Sequence, residues 1–369
     1  MKITSLKTNR ISNPLGFAMH RPVLSWIVED TPDKVQTAAH VRVSSDADFK
    51  RILYDSGKVM GTGIDSLGFC PDLTLTARTR YFWQVRVWGE TEQAESEVAW
   101  FETAKMDEPW SAQWIMPELD DNQIHPYLFK CFELPVGVVA ARAYICGLGL
   151  YHLELNGRKA GDEVLAPGCN AYDQWLQYQT YDITGQLQTG SNLVTVMLGN
   201  GWYKGRYGLQ DGPTATKPYG DRFACICEIH VRLESGEMLI ILSDCSWKAR
   251  PAPVLASSIY DGETFDSRIM SPIRDTQDVW RVIPAALDNT RLEARRSLPV
   301  CINELVKPVA VIHTPAGETV LDMGQNMVGW LRFKTRAPAG TRIHLLYGEV
   351  LQNGCFYQEN LRTAKAEYT

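Results

Sequence analysis

An Asn-Gly pair at 156–157 separates two short stretches in which apolar residues fall at alternate positions. Tyr151, Leu153 and Leu155 share one face before it, and a second run ends at Val164 and Leu165. A type I′ turn requires positive φ at both central residues, so Asn-Gly flanked by period-two apolarity predicts a β-hairpin. A lone hairpin is marginal in water, so its apolar face demands further strands. The chain supplies them in a Tyr-rich segment (Tyr172, Tyr178, Tyr181), the run Leu193–Leu198 and the corner Gly199-Asn-Gly-Trp-Tyr-Lys-Gly. The stretch from Leu148 to Arg206 thus predicts an all-β sandwich with aromatic residues on its loops, which suits carbohydrate better than phosphate or nucleic acid. Three glycines in the corner serve tight turns, and no helix pattern follows that could cradle a phosphate.

The same alternation runs through the rest of the chain, where helical periodicity is scarce. At 369 residues, about two or three domains are expected. Residues 1–105 read as a small sandwich of the immunoglobulin or fibronectin type. Its runs are Leu24–Val28, His40–Ser44, Ile52–Gly57, Tyr81–Trp88 and Val98–Thr103. In the clearest, Tyr81, Trp83, Val85 and Val87 share one face and Phe82, Gln84, Arg86 and Trp88 the other. After a charged, Pro-containing linker anchored by Trp110 and Trp114, residues 106–295 carry longer strands whose number and length suit a jelly roll. A third unit, 296–369, is expected to have strands at Val309–His313, Val320–Asp322, Gly329–Thr335 and Ile343–Tyr347. Its final Ala-Glu-Tyr-Thr reads as a new strand with a bare edge, which predicts that the sequence continues in something larger.

Charge and composition narrow the function classes. A net charge of −6 offers no electrostatic footprint for a polyanion, so nucleic acid is not an expected partner. No apolar run approaches the roughly 20 residues that span a bilayer, and the N-terminus lacks the apolar core of a signal peptide. Nine scattered cysteines, with only Cys225 and Cys227 close together, fit free thiols rather than disulfides or zinc. A cytoplasmic location is the resulting expectation. The seven histidines show no metal-binding spacing, and none is given a role.

Ordered motifs then carry a resemblance. Arg21-Pro-Val-Leu-Ser-Trp, Asp55-Ser-Gly-Lys-Val and Thr79-Arg-Tyr-Phe-Trp-Gln-Val-Arg-Val-Trp come first. Leu155-Asn-Gly-Arg-Lys-Ala-Gly-Asp, Leu165-Ala-Pro-Gly, Tyr178-Gln-Thr-Tyr-Asp and Gly201-Trp-Tyr-Lys-Gly-Arg follow. Asp322-Met-Gly-Gln-Asn-Met-Val-Gly-Trp, Gly348-Glu-Val-Leu and Glu359-Asn-Leu-Arg close the series. In that order they resemble the N-terminal, all-β portion of bacterial α-L-rhamnosidases. The resemblance implies an immunoglobulin-like sandwich, then a jelly roll, then the start of a concanavalin-like sandwich. It also implies that catalysis, by inversion between two carboxylates, resides in a later (α/α)₆ barrel that these residues do not include. Rhamnose-containing glycosides and that catalytic domain are the implied partners. Two other readings stay open: a stand-alone carbohydrate-binding protein on the same jelly roll, and an inactive structural remnant.

No acidic residue is assigned to catalysis. In some relatives the jelly roll binds rhamnose through a calcium ion held by adjacent Asp and Asn, and the resemblance places that loop at Tyr172, Asp173, Gln174 and Trp175. Asp173 is the candidate calcium ligand, although Gln174 stands where Asn is expected, and the alternative is that Asp173 braces the loop through backbone hydrogen bonds. Trp175 is the candidate stacking platform. Trp202 and Tyr203 are candidate sugar contacts whose other reading is packing under the Gly-rich corner. Glu263 and Asp266 with Arg268 superficially resemble an acid pair with a clamp, but a structural Asp–Arg pair tying the loop to a neighbour is the stronger expectation.

Overall fold

The computed structural model describes residues 1–61, 68–206, 218–269 and 279–369. Strands dominate throughout. Among the described residues there is no α-helix, only four single-turn 3₁₀ helices. The chain forms two compact units. The first comprises Met1–Trp110 with Gln177–Tyr181 and Leu292–Leu298, and the second Ser111–Leu176, Asp182–Arg291 and Pro299–Thr369.

The first unit contains β1 (Lys2–Thr8), β2 (Leu15–Phe17), β3 (Leu24–Glu29), β4 (Ala38–Ser44), β5 (Ile52–Asp55), β6 (Val59–Met60), β7 (Arg80–Trp88), β8 (Gln93–Glu95) and β9 (Ala99–Thr103). A sheet ordered β2-β9-β7-β4-β5, with β6 on β4 and β8 on β7, packs with the β1–β3 pair. The predicted face of β7 is the buried one: Tyr81, Trp83, Val85 and Val87 join Leu24, Val41, Val43 and Phe101 in the core. Each such aliphatic side chain contributes roughly 1.5–3 kcal/mol by leaving water. Trp83 also keeps its indole N–H satisfied by donating to Thr8 Oγ1 at 3.1 Å. Strands β1, β2, β6 and β8 escape the sequence pattern. They are short or half-exposed, so little apolar alternation marks them.

The second unit begins with β10 (Ile115–Pro117), β11 (Pro126–Leu134), β12 (Val138–Leu148), β13 (Leu150–Leu155) and β14 (Arg158–Lys159). After β15 (Leu176–Asp182), most of which belongs to the first unit, the second unit continues with β16 (Gly190–Gly199), β17 (Ala224–Leu233), β18 (Met238–Leu242), β19 (Lys248–Pro251), β20 (Val254–Ser258), β21 (Gly262–Phe265) and β22 (Trp280–Pro284). The jelly-roll strands run β14-β13-β16-β11-β19-β22-β10-β17-β12, with β18 on β17. Leu153, Leu155, Val194, Val196 and Leu198 on one side, and Ala143, Ile145, Cys225, Cys227, Ile229 and Val231 on the other, are all buried. Strands covered on one face only alternate; β17, buried almost end to end, reads as a continuous apolar run. All nine cysteines are free thiols.

The Asn156-Gly157 hairpin forms as predicted, with φ of 55° and 75° and Leu155 opposite Arg158. Its second strand is shorter than expected. Val164 makes only an isolated bridge to Val300, and Leu165 turns outward with φ of 57°. The Tyr-rich segment also differs from the expected loop display, because Tyr172, Tyr178 and Tyr181 are all buried.

Beyond β23 (Leu292–Ala294), the chain adds β24 (Ala310–His313), β25 (Thr319–Asp322), β26 (Leu345–Leu346), β27 (Val350–Gln352), β28 (Cys355–Tyr357) and β29 (Glu367–Tyr368). The predicted strand at Gly329–Thr335 does not form, and Trp330 and Phe333 there are exposed. A strand needs a ladder partner as well as an apolar pattern, and among the described residues none pairs with this stretch. The last strand does form and is not a bare edge: β29 lies between β21, in parallel, and β26, antiparallel.

Gly262 makes that parallel pairing possible. Its φ is 98°, and a Cβ there would sit 1.7 Å from the Glu367 carbonyl oxygen. Gly262→Ala is therefore expected to cost about 1–3 kcal/mol in backbone strain alone and to detach β29. Hydrogen exchange at the Glu367 and Thr369 amides, which donate to Asp261 and Glu263 carbonyls, reads this directly. Unchanged protection at those amides would refute it.

Candidate functional site

The loop from Gly168 to Trp175 is built from its backbone outward. The Ala171 carbonyl accepts the N–H groups of both Gln174, at 2.7 Å, and Trp175, at 2.9 Å, closing a turn that projects the intervening side chains. Asp173 and Gln174 are exposed, and Gln174 Nε2 donates to Asp173 Oδ2 at 3.1 Å. Trp175 is half-buried. Tyr172 instead points inward and donates its hydroxyl to the Gly168 carbonyl at 2.7 Å.

Tyr172 is also where the Gly-rich corner meets the loop. Its ring centroid lies 5.5 Å from that of Tyr203 and 5.4 Å from that of Tyr219. Burial raises the Tyr172 phenol, with smaller contributions from Cys146 and Cys169. Burial likewise raises Tyr203, with Asp221 adding to it. These phenols stay neutral hydrogen-bonding groups. Trp202 is half-buried beside Tyr203. The structure thus brings Tyr172 and Tyr203 into one aromatic cluster with Tyr219, a residue that carries no distinguishing sequence signal. Asp173, Gln174 and Trp175 form its solvent-facing rim.

The rim can exchange hydrogen bonds with hydroxyl groups and offer one aromatic face. Calcium takes six to eight oxygens, and among the described residues no group of three or more His, Cys, Asp or Glu could hold a metal. Asp173 is a single exposed carboxylate already engaged by Gln174.

The Glu263–Asp266–Arg268 stretch shows no acid–base pair. Arg268 grips Asp266 from two residues away, with Nε donating at 2.8 Å, and its hydrogen bonds hold that carboxyl at about 2. The pair closes a local 3₁₀ turn rather than reaching a neighbouring element. Glu263 lies on β21, and burial raises its carboxyl. The longer tie comes from Arg206, whose Nη1 donates to Asp261 Oδ1 at 2.6 Å and to the Thr363 carbonyl at 2.8 Å.

A second polar node was not legible in the sequence. His125 is buried, with Nε2 2.8 Å from Ser257 Oγ, and that oxygen accepts the Asn200 N–H at 2.9 Å. The hydroxyl and the imidazole Nε2 share one hydrogen bond, whose donor is set by the imidazole tautomer. Burial, aided by the Lys204 cation, pulls His125 down to about 4. A Cβ at Gly199 would lie 3.2 Å from Ser257 Oγ and 3.6 Å from the His125 ring, so the node clips the corner against β20.

An immunoglobulin-like unit followed by a jelly roll with a polar-aromatic loop defines a chain of β-sandwich domains. Its family emerges from comparison. Family models match three consecutive stretches: a Rha78A-like N-terminal immunoglobulin domain at residues 3–107, the alpha-L-rhamnosidase N-terminal domain at 137–304, and the bacterial alpha-L-rhamnosidase concanavalin-like domain at 312–369. An alpha-L-rhamnosidase of Formosa agariphila is 30% identical over 381 residues, covering 96% of this chain and 40% of that protein. The crystal structure of the Aspergillus terreus alpha-L-rhamnosidase superposes with a TM-score of 0.88 at 30% identity, over 100% of this chain and 44% of that one. The Streptomyces avermitilis alpha-L-rhamnosidase complexed with L-rhamnose shares the fold, with a TM-score of 0.89 at 24% identity, over 100% and 53% respectively. The chain belongs to the α-L-rhamnosidase family and corresponds to its N-terminal, all-β domains. It spans about two fifths of the length of the curated relatives it matches over nearly its whole length.

Proposed function

We propose that this chain serves as the non-catalytic part of an enzyme that removes terminal α-L-rhamnose, and that its jelly roll holds a rhamnose-containing glycoside at the Asp173–Trp175 rim. The reading rests on the exposed Asp173 and Gln174 beside a half-buried Trp175, held out by one shared carbonyl at Ala171. Such a rim offers the two features a deoxysugar presents in return: hydroxyls to hydrogen-bond and an apolar face to stack. Hydrolysis itself would come from a catalytic domain acting with this chain. The free thiols and the residue composition support a cytoplasmic setting.

Calorimetric titration with L-rhamnose tests the binding. The native chain is expected to give a saturable heat. Asp173→Ala and Trp175→Ala are each expected to weaken it about ten-fold, the loss of ~1.4 kcal/mol that one hydrogen bond or stacking contact supplies. A chelator is expected to leave the heat unchanged, since Asp173 belongs to no group of three or more His, Cys, Asp or Glu side chains among the described residues. Equal binding by both variants would remove the loop from consideration.

A further inference from the structure

The chain contains three Asn-Gly pairs, at 156–157, 200–201 and 353–354. Glycine places no Cβ in the way of its own nitrogen, so this dipeptide leaves the asparagine carboxamide most open to attack by the following backbone nitrogen. Attack requires the carboxamide to swing freely, and here the three sites differ.

Two are locked. Asn156 Nδ2 donates to the Gln186 carbonyl and to Asn192 Oδ1, both at 2.9 Å, while its Oδ1 accepts the Leu193 N–H at 2.8 Å. Asn200 Nδ2 donates to the Ser257 carbonyl at 3.0 Å, and its Oδ1 accepts Lys204 Nζ at 2.9 Å. Asn353 is different. It is exposed at the tip of the β27–β28 hairpin, with φ of 52° followed by 75° at Gly354, and its carboxamide makes no hydrogen bond with the described residues. A Cβ built at Gly354 would meet only Pro315, no closer than 3.8 Å, so the tip stands in open space. That ribbon has only three residue pairs, and so short a ladder opens readily.

We propose that Asn353 is a modification site, the place where this chain deamidates and forms isoaspartate. The Gly354 nitrogen gives its proton to a solvent base and attacks Cγ of Asn353. The N–Cγ bond forms as the Cγ–Nδ2 bond breaks, and ammonia leaves, yielding a cyclic imide. Water then opens the ring at one of its two carbonyls, giving aspartate or isoaspartate, with no change of oxidation state. Isoaspartate adds a methylene to the backbone, which breaks the Gln352–Cys355 register. It also introduces a carboxylate near the strand whose Phe356 N–H donates to Glu318 Oε2 at 3.0 Å.

Incubating the full folded chain in mildly alkaline buffer, followed by acidic quench and peptide mass mapping, quantifies the exchange of NH for O at each Asn-Gly pair. Asn353 is expected to convert at least about ten-fold faster than Asn156 and Asn200, a ratio set by differences in local opening. In strong denaturant the three are expected to convert at similar rates. Asn353→Gln is expected to abolish the fast conversion. Equal rates in the folded chain, persistence of the fast conversion in that variant, or the same ranking in denaturant would each overturn the proposal.

Discussion

Replacing Trp83 with alanine is expected to destabilise the first unit by about 3–5 kcal/mol, the cost typical of emptying a large aromatic site in a packed core. Trp83 is completely buried among Val41, Val43, Val85 and Phe101, and its indole N–H is matched by the buried Thr8 hydroxyl. Truncation therefore removes the contacts of the largest side chain in that core and strands a hydroxyl that has no water to turn to. The chain has two units, so a single melting temperature would blend them. Hydrogen exchange at the amides of β7 reads the first unit alone. Protection there is expected to fall by a factor of ~100 or more. A loss below ten-fold would show that the core collapses around the gap.

Acidification is expected to weaken the second unit between about pH 6.5 and pH 4 through His125. Its pKa is about 4 in the fold against 6.5 for an unperturbed imidazole. Below 6.5 the unfolded chain binds a proton that the folded chain still refuses, so stability is complete above that pH and declines as pH falls toward 4. Below about 4 both states are protonated and the loss levels off. A gap of this size corresponds to ~3 kcal/mol. Glu263, raised by burial, acts in the opposite sense and offsets part of the loss. Carboxylates held low, such as Asp46 and Asp244, lose their stabilisation at more acidic pH. Comparing the native chain with His125→Gln across this window isolates the histidine. An unchanged slope in that variant would assign the effect elsewhere.

The sandwich fold was readable because it depends on local rules. Period-two apolarity placed Tyr81, Trp83, Val85 and Val87 in the core, and Asn156-Gly157 marked a turn whose backbone only such residues adopt readily. The ordered motifs pointed to the family, and three family models match in the same order. Gly329–Thr335 was misread for the complementary reason. Its composition suits a strand, but ladder bonds come from a partner that a local pattern does not reveal.

What the sequence determined by itself was therefore the fold class, the hairpin and the family, all properties carried by neighbouring residues and their order. The tertiary structure alone decided which aromatics are packed and which are offered to solvent. Tyr172 and Trp175 lie three positions apart, yet one is sealed against Tyr203 and Tyr219 while the other stays half-exposed. It also decided that His125 meets Ser257 across 132 residues and that Gly262 must admit the Glu367 carbonyl. Burial and long-range contact arise only when distant strands close on one another, and a one-dimensional pattern carries no record of which ones do.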